Sequence, residues 1–408
     1  MNMKPILPFL QRTGALLGAC CLTALYAPAQ NTTNLPTSMY GVGELNTADG
    51  GRYAGLGNLG IALNRPGFQN TLNPAAITAM DSTCFTFDVG VSASYARYSF
   101  LSDRSSNLTG NPNRLSLGFR VLPHWYALIG AAPYSSVGYL IQTTEEVEGS
   151  PGEYLYSTFE GTGGLYRCYV TNAFALTSRL SVGFNLGMIL GTVTQSETQE
   201  SATVSYESSK RAFYADFGLH YRFGGLHRSW EIGAVFAPSL KIGHENSLTY
   251  SNSSTSESVD KSYHNRTQYL PMHIGAGLTT SSEYWTVSLD YNYVDWSRNT
   301  SAYTSMKYEN QHKLNFGILY LTEPRKPRST ELMAGIGASN SYINLKGGKM
   351  YYLEGNIGVS FPLRYSFLAL GATWRRQVNR RENLMQESRF SLNLNLTFGE
   401  RLFRSKLK

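Results

Sequence analysis

Residues 180–190 read Leu-Ser-Val-Gly-Phe-Asn-Leu-Gly-Met-Ile-Leu. Leu180, Val182, Phe184, Leu186, Met188 and Leu190 share one parity; Ser181, Gly183, Asn185 and Gly187 share the other. Side chains of an extended chain alternate between faces, so this stretch is a strand with one apolar and one polar wall. The pattern repeats on both sides of it. Phe85, Phe87, Val89 and Val91 alternate with Thr86, Asp88, Gly90 and Ser92, and Leu115, Leu117, Phe119 and Val121 with Ser116, Gly118 and Arg120. Phe213, Ala215, Phe217, Leu219, Tyr221 and Phe223 lie opposite Asp216, Gly218, His220 and Arg222. Near the end, Phe390, Leu392, Leu394, Leu396 and Phe398 oppose Arg389, Ser391, Asn393, Asn395 and Thr397.

A soluble sandwich also alternates, but its strands average about 5–6 residues, whereas a membrane-crossing strand needs about 9–11. The alternating stretches here are commonly a dozen residues or longer. They predict an all-β fold, a fourteen-stranded antiparallel transmembrane β-barrel. The strands are expected at 83–99, 113–122, 125–142, 153–176, 179–196, 208–224, 229–248, 265–280, 284–297, 304–321, 329–341, 350–361, 365–378 and 386–398. Short connections such as Pro123-His124 and Thr177-Ser178 alternate with longer ones, among them Leu101 to Pro112, Glu197 to Glu207 and Thr249 to His264. An even strand count puts both termini on one side, the periplasm, as in barrels of the bacterial outer membrane. Closure satisfies the sheet edges that lipid cannot.

The bulk numbers agree. Of 408 residues, 42% are apolar and only 15% charged, aromatics reach 13%, and the 39 Gly are spread along the chain. The net charge of +7 comes from dispersed Lys and Arg, which excludes the basic stripe a nucleic-acid binder needs. Residues 1–29 read as a signal peptide: Lys4 and Arg12, a short apolar run from Thr13 to Tyr26, then Ala27-Pro28-Ala29 as the cleavage pattern. A lipoprotein signal at Leu17-Gly18-Ala19-Cys20 is the weaker alternative, because the apolar run continues past Cys20. No later run of about 18 apolar residues offers a transmembrane helix. Cys84 and Cys168 remain in the mature chain, and isolated Cys on separate strands more often pack as small apolar residues than pair.

Residues 30–81 break the alternation. Gly41, Gly43, Gly50, Gly51, Gly55, Gly57 and Gly60 crowd a stretch ending in Asn73-Pro74-Ala75. With too little apolar surface for its own core, such a segment is best placed as a plug inside the barrel. The barrel proper then spans 82–398 and a basic periplasmic tail 399–408.

Gly51-Arg52-Tyr53-Ala54-Gly55, with Gly57, Gly60-Ile61-Ala62 and Asn73-Pro74-Ala75-Ala76-Ile77-Thr78, resembles the N-terminal hatch of the long-chain fatty acid outer-membrane transporters, the FadL type. Leu270-Pro271, Trp285, Asp290-Tyr291 and Trp296-Ser297 resemble a second pattern of that family, and the region from Ala334 to Lys408 looks like its divergent members. The resemblance covers essentially the whole mature chain. It implies a fourteen-stranded barrel, a hatch built on Gly51, Arg52, Gly55, Gly57, Gly60, Asn73, Pro74 and Ala75, and passive diffusion of fatty-acid-like substrates sideways through the wall. A kink in the third strand would be the exit. Pro133, which has no N–H to give the ladder, and Gly138 lie in that strand; an ordinary bulge with no transport role is the other reading.

Several motifs have plainer readings. Gly55-Leu56-Gly57-Asn58-Leu59-Gly60 fits a dinucleotide fingerprint, but Pro66 and Pro74 interrupt the strand–helix unit it requires, so the Gly read as tight hatch turns. Asp88, Arg120, Asp216, Arg222, Glu231, Asp290, Glu354, Arg375 and Arg389 fall on the polar wall and read as lumen lining that holds a plug rather than as catalytic groups. The seven His have no metal-ligand spacing, and neither G-x-S-x-G nor H-E-x-x-H occurs. The expectation is a monomeric outer-membrane transporter of hydrophobic small molecules, in contact with outer-membrane lipid, without cofactor, metal or catalysis. A barrel subunit of a protein secretion apparatus is the alternative, and an outer-membrane lipid hydrolase a third.

Overall fold

A computed structural model describes Thr33 and residues 35–401, apart from 47–50, 81–83, 101–102, 148, 151, 226–227, 256, 263–266, 302, 327, 346–347, 364–365 and 380–384. The expected signal peptide lies outside the described residues, as does 402–408 of the expected tail.

One short strand, β1 (Glu44–Leu45), belongs to the N-terminal segment. The rest form a closed antiparallel barrel of fourteen staves. The first two are β2 (Cys84–Phe100) and β3 (Asp103–Leu122); the third is β4 (Trp125–Ser136) continued by β5 (Tyr139–Glu146). Then come β6 (Tyr154–Ala175), β7 (Leu180–Gln199) and β8 (Ala202–Gly224). The seventh stave is β9 (Ser229–Ala237) with β10 (Lys241–Asn252), and the eighth is β11 (Glu257–Ser262), β12 (Gln268–Tyr269) and β13 (Met272–Ser281). The ninth is β14 (Trp285–Asp295), and the tenth is β15 (Met306–Tyr308) with β16 (Gln311–Leu321). The last four are β17 (Glu331–Leu345), β18 (Gly348–Pro362), β19 (Ser366–Gln377) and β20 (Gln386–Arg401). Pairing of β2 with β20, from Cys84 opposite Arg401 to Ser99 opposite Gln386, closes the ring.

The apolar parity of each strand points outward. Ile357 and Ile336 are 65% and 63% exposed, and Leu186, Phe217 and Leu394 lie on the same outer surface, while Asp88, Asn185 and Asp290 are buried inside. A water-soluble fold would bury the first set, so this surface is one that lipid covers. Aromatic pairs mark its lower rim: Trp125 on Phe174 at 5.9 Å, Trp285 on Tyr320 at 4.5 Å and Phe87 on Phe398 at 5.2 Å. Tyr95, Phe390 and Trp374, paired across neighbouring staves, mark an upper level of exposed rings, with an outward apolar band between, as expected for a belt about 25 Å tall.

Strand ends depart from the sequence reading. Much of the stretch expected as long external loops is strand: β3 begins at Asp103, β7 and β8 meet across a turn at Glu200, and β10 pairs with β11 through Asn252 opposite Glu257. These extensions are rich in Ser, Thr, Tyr and Val; Thr, Tyr and Val favour strands, and none of the four needs an apolar face once the chain has left the bilayer. Reading strand ends from the loss of apolar alternation therefore stops short. The opposite error occurs at Pro238 and Pro271, which interrupt the seventh and eighth staves because Pro cannot donate to the ladder. The C-terminal end of the barrel also runs on: β20 continues through 399–401, residues expected in the tail.

Thr32–Lys408 is one compact unit that includes the N-terminal segment. That segment's apolar residues bury against the barrel rather than one another alone. Tyr53, Leu56, Leu59, Leu63 and Phe68 pack with Leu319 and Met333, and Ile77 and Met80 with Leu128, Ala132, Tyr169 and Ala173.

Candidate functional site

Residues 51–80 fill the lower lumen in two short 3-10 turns, Gly51–Leu56 and Pro74–Ala79, joined by irregular chain. Irregular backbone carries donors and acceptors that no ladder satisfies, so the barrel must supply partners. Four lumenal carboxylates do so. Asp290 Oδ2 accepts the backbone N–H groups of Gly60 and Ile61 at 2.8 and 2.9 Å. Glu231 accepts Asn64 N–H at 3.2 Å and Arg222 Nε at 2.8 Å, while Arg222 Nη2 donates to the Asn64 carbonyl at 3.2 Å. Glu331 binds Arg52 at 3.0 Å and Arg65 at 3.5 Å. Asp88 holds Arg114 at 3.3 Å, and Arg114 in turn donates to Thr71.

The sequence-derived hatch residues sit as follows. Arg52 also donates to Ser360 Oγ at 3.0 Å and stacks over the Phe367 ring at 3.3 Å. Asn73 caps the second turn by accepting Ala75 N–H at 3.0 Å, and its amide donates to the carbonyls of Ile61 at 2.6 Å and Leu219 at 3.1 Å, tying hatch to wall. Pro74 and Ala75 open that turn and are fully buried. Gly55 faces Gly358 of β18 so closely that a Cβ on Gly55 would lie 2.5 Å from Gly358 Cα; a Cβ on Gly233 would lie 1.9 Å from the Ile61 carbonyl oxygen. Glycine on the polar parity of the strands is thus where hatch backbone meets barrel backbone. Gly51 and Gly57 adopt positive φ of 48° and 78°, and Gly60 packs against Leu72.

Sequence reasoning missed other anchors. Asn70 donates to the carbonyls of Gly60 and Leu63 at 2.5 and 2.9 Å and accepts Leu72 N–H at 2.9 Å. Gln69 bridges Thr86 and Ser116. Arg114 and Glu331 lie on the lumen parity of their strands, a signal that was available. Of the nine charged residues expected to line the lumen, Asp88, Arg222, Glu231, Asp290 and Arg389 engage the hatch or its anchor. Arg120 instead folds onto the Leu122 carbonyl at the rim.

Residues 35–46 occupy the upper lumen. Val42 joins Leu165, Ile189, Ile242, Leu270, Trp296, Tyr342 and Met350 in an apolar lid, in which Trp296 stacks on Tyr342 at 4.5 Å and on Tyr308 at 5.9 Å. Tyr342 donates its hydroxyl to the Gly43 carbonyl.

Pro133 and Gly138 lie where the wall is incomplete. The ladder between β3 and β4 runs from Leu122 opposite Trp125 to Leu115 opposite Ala131 and stops, although β3 continues to Asp103. The third stave then breaks between Ser136 and Tyr139 after a register shift at Pro133. The hatch fills the interval. β1 pairs with β4, Glu44 opposite Ser136 and Leu45 opposite Ser135. Ser38 Oγ both donates to the Gly138 carbonyl and accepts its N–H, each at 3.1 Å, and Asn46 donates to the Pro133 carbonyl at 3.2 Å. β1 is latched by Glu44, which bonds Arg389 of β20 and accepts from Thr33. Burial works against the Glu44 charge, but Arg389 with Arg375 outweighs it and holds the carboxyl below its usual range.

Between the two hatch layers lies a chamber of about 270 Å³, floored by Asn58, Thr71 and Leu72 and roofed by Leu45 and Asn46. Its walls carry an apolar arc with Val235, Leu270, Val294 and Trp296, and charged groups Arg167, Asp216, Lys313, Glu354 and Arg375. A smaller cavity of about 110 Å³ adjoins it, sharing Leu45, Asn46 and Pro133 and lined further by Asn111, Ser136 and Tyr166 at the gap. Cys168 is a free, exposed thiol, and the Cys84 side chain lies outside the described residues.

A closed fourteen-stave barrel with its N-terminal segment packed inside is the fold that the resemblance to the FadL-type transporters implies. The chain belongs to the BamG family, which it matches over residues 13–407. Among solved structures it is similar to the toluene transporter TbuX of Ralstonia pickettii, with a TM-score of 0.59 at 12% identity, covering 86% of this chain and 99% of that one. The toluene transporter TodX of Pseudomonas putida gives 0.58 at 13%, covering 91% and 99%, and the monoaromatic hydrocarbon channel CymD 0.57 at 15%, covering 89% and 99%. At these identities the likeness is one of fold. No curated protein matches the sequence at a significant level.

Proposed function

We propose that this barrel carries hydrophobic small molecules of fatty-acid type across the outer membrane by passive diffusion, releasing them sideways through the gap between β3 and β4. The observation that carries the reading is the adjacency of three things: a chamber with an apolar arc, a wall whose ladder ends at Leu115–Ala131, and a hatch strand seated in the opening. An unpaired sheet edge cannot face acyl chains, so something must satisfy it when the gate is shut. β1 does that with two residues, a pairing small enough to break and remake. The gate opens when β1 leaves β4; cargo passes from the chamber past Pro133 and Ser136 into lipid. The relatives described as toluene transporters and a hydrocarbon channel support cargo of this general kind. In this reading the protein works as a monomer, with outer-membrane lipid around it and both termini in the periplasm.

The test uses the β1–β4 register. Leu45→Cys with Ser135→Cys, in a Cys168→Ala background, places two thiols on directly opposed residues, within disulfide reach. Uptake of a fluorescent fatty acid by cells producing the oxidised protein should fall to background and return on reduction. Unchanged uptake through the locked protein would refute lateral release.

A second reading, a barrel subunit of a secretion apparatus, is favoured by one observation: apolar lid above and buried ion pairs below leave the lumen well sealed. Stoichiometric co-purification with large partner subunits, together with normal uptake in a strain lacking the protein, would establish it instead.

A further inference from the structure

On the outer surface, above the apolar belt, Arg211 holds Glu245 at 2.9 Å and Lys349 holds Glu309 at 3.0 Å. Three arginines at the same edge differ. Arg97 of β2, Arg104 of β3 and Arg376 of β19 are exposed and make no ion pair within 4.0 Å among the described residues. We infer that they form a binding site for a phosphorylated glycolipid of the outer leaflet, with its phosphate on the guanidinium groups and its acyl chains down the wall.

The register brings the three together. Arg97 lies opposite Ser388 of β20, and Ser388 opposite Arg376, so Arg97 and Arg376 are two strand spacings, about 10 Å, apart at the backbone. Arg104 lies opposite Ser99, two residues beyond Arg97 on β2, which makes it a diagonal neighbour at about 7–8 Å. All three line one open groove of about 580 Å³, with Ser99, Ser106 and Ser388 between them. Arg97 donates its Nε to the Tyr95 hydroxyl at 3.3 Å, which leaves its two Nη groups for a ligand. Glu387 also reaches the groove, but it is 5% exposed and bonds Arg389 at 2.9 Å on the lumen side. Inside the barrel, Glu44, Glu354 and Glu387 match Arg375, Arg389 and Lys313 three for three, so the lumen supplies no counter-ion across the wall.

Three like charges on one groove repel each other, and an anion between them turns that repulsion into attraction. Arginine suits phosphate because its planar fork gives two parallel charge-assisted bonds. The ligand is a lipid because apolar side chains lie one step nearer the membrane centre. Leu108, Tyr95, Phe390 and Trp374 occupy opposed positions across β3, β2, β20 and β19, and Leu108 is 72% exposed. Serine hydroxyls among the arginines suit a sugar head. With both termini in the periplasm, as proposed above, this end of the barrel meets the outer leaflet, whose phosphate is carried on glycolipid.

The test is native mass spectrometry of the full mature protein, released from detergent micelles after incubation with diphosphoryl lipid A, with the same lipid stripped of its phosphates, or with phosphatidylglycerol. One diphosphoryl lipid A should stay bound, and the other two lipids should each be retained about tenfold less. Arg97→Gln, Arg104→Gln and Arg376→Gln should each weaken retention about fivefold, the effect of one basic side chain at an anionic surface. Arg211→Gln, which removes a cation already held by Glu245, should leave retention unchanged. Phosphatidylglycerol held as well as lipid A would overturn the glycolipid assignment. Retention indifferent to phosphate, or to all three arginine variants, would overturn the site itself. Neither outcome touches the transport reading, because the three arginines lie outside the lumen.

Discussion

Asp290→Ala is the substitution whose cost can be worked from the geometry. One carboxylate oxygen accepts two hatch N–H groups, Gly60 at 2.8 Å and Ile61 at 2.9 Å, in a site where Asp290 is 1% exposed. A hydrogen bond to a charged group contributes about 1.5–3 kcal/mol, so the pair is worth roughly 3–6 kcal/mol of hatch docking. Alanine also strands both donors away from water. At the lower figure, local opening of residues 56–64 becomes about 100-fold more frequent. Hydrogen–deuterium exchange followed by mass spectrometry on the purified protein reads this directly, because peptides over 56–64 exchange through such openings. Asp290→Asn retains an uncharged acceptor and should give about a tenfold increase, roughly half the effect on a logarithmic scale. Barrel strands should exchange as before, since all their ladders remain. If Asp290→Ala left exchange over 56–64 unchanged while the barrel stayed folded, the claim that lumenal carboxylates dock the hatch would be wrong.

Two further outcomes follow from the same physics. Glu44 has its carboxyl held below the usual 4.5 by Arg389 despite burial, so its contribution to seating β1 is complete above that value and is lost as pH falls through the depressed folded one. Acid titration of Trp296 emission, which senses the lid containing Val42, should show a transition in that acidic window that Glu44→Gln abolishes; an identical transition in the variant would exonerate the latch. On the outer wall, Ile357 is 65% exposed midway between the aromatic rings, and Ile357→Arg should destabilise the barrel by about 2–4 kcal/mol, read as a lower melting temperature by heat-modified gel mobility in lipid.

The alternation in 180–190 and its repeats settled the barrel class because it is a local property. Every second side chain must satisfy the same solvent, so which face meets lipid can be read one strand at a time, and the stave number follows by counting. The limits of that reading are local too. Polar strands such as 191–199 and 202–210 keep their ladder above the membrane without any apolar face to announce it, while Pro238 and Pro271 cut staves that alternation would have run together. The hatch is different in kind. Its Gly-rich chain carries no period, so the sequence showed a segment unable to form its own core but not its path.

Only the closed barrel decided that Arg52 meets Glu331, that Gly60 meets Asp290, and that β1 adds to β4 with Glu44 latched to Arg389. These partners are far apart in the sequence and become neighbours through ring closure. The chamber arises in the same way: Asp216 and Arg375 both line it although six staves lie between theirs on either side, a relation that no window of sequence contains.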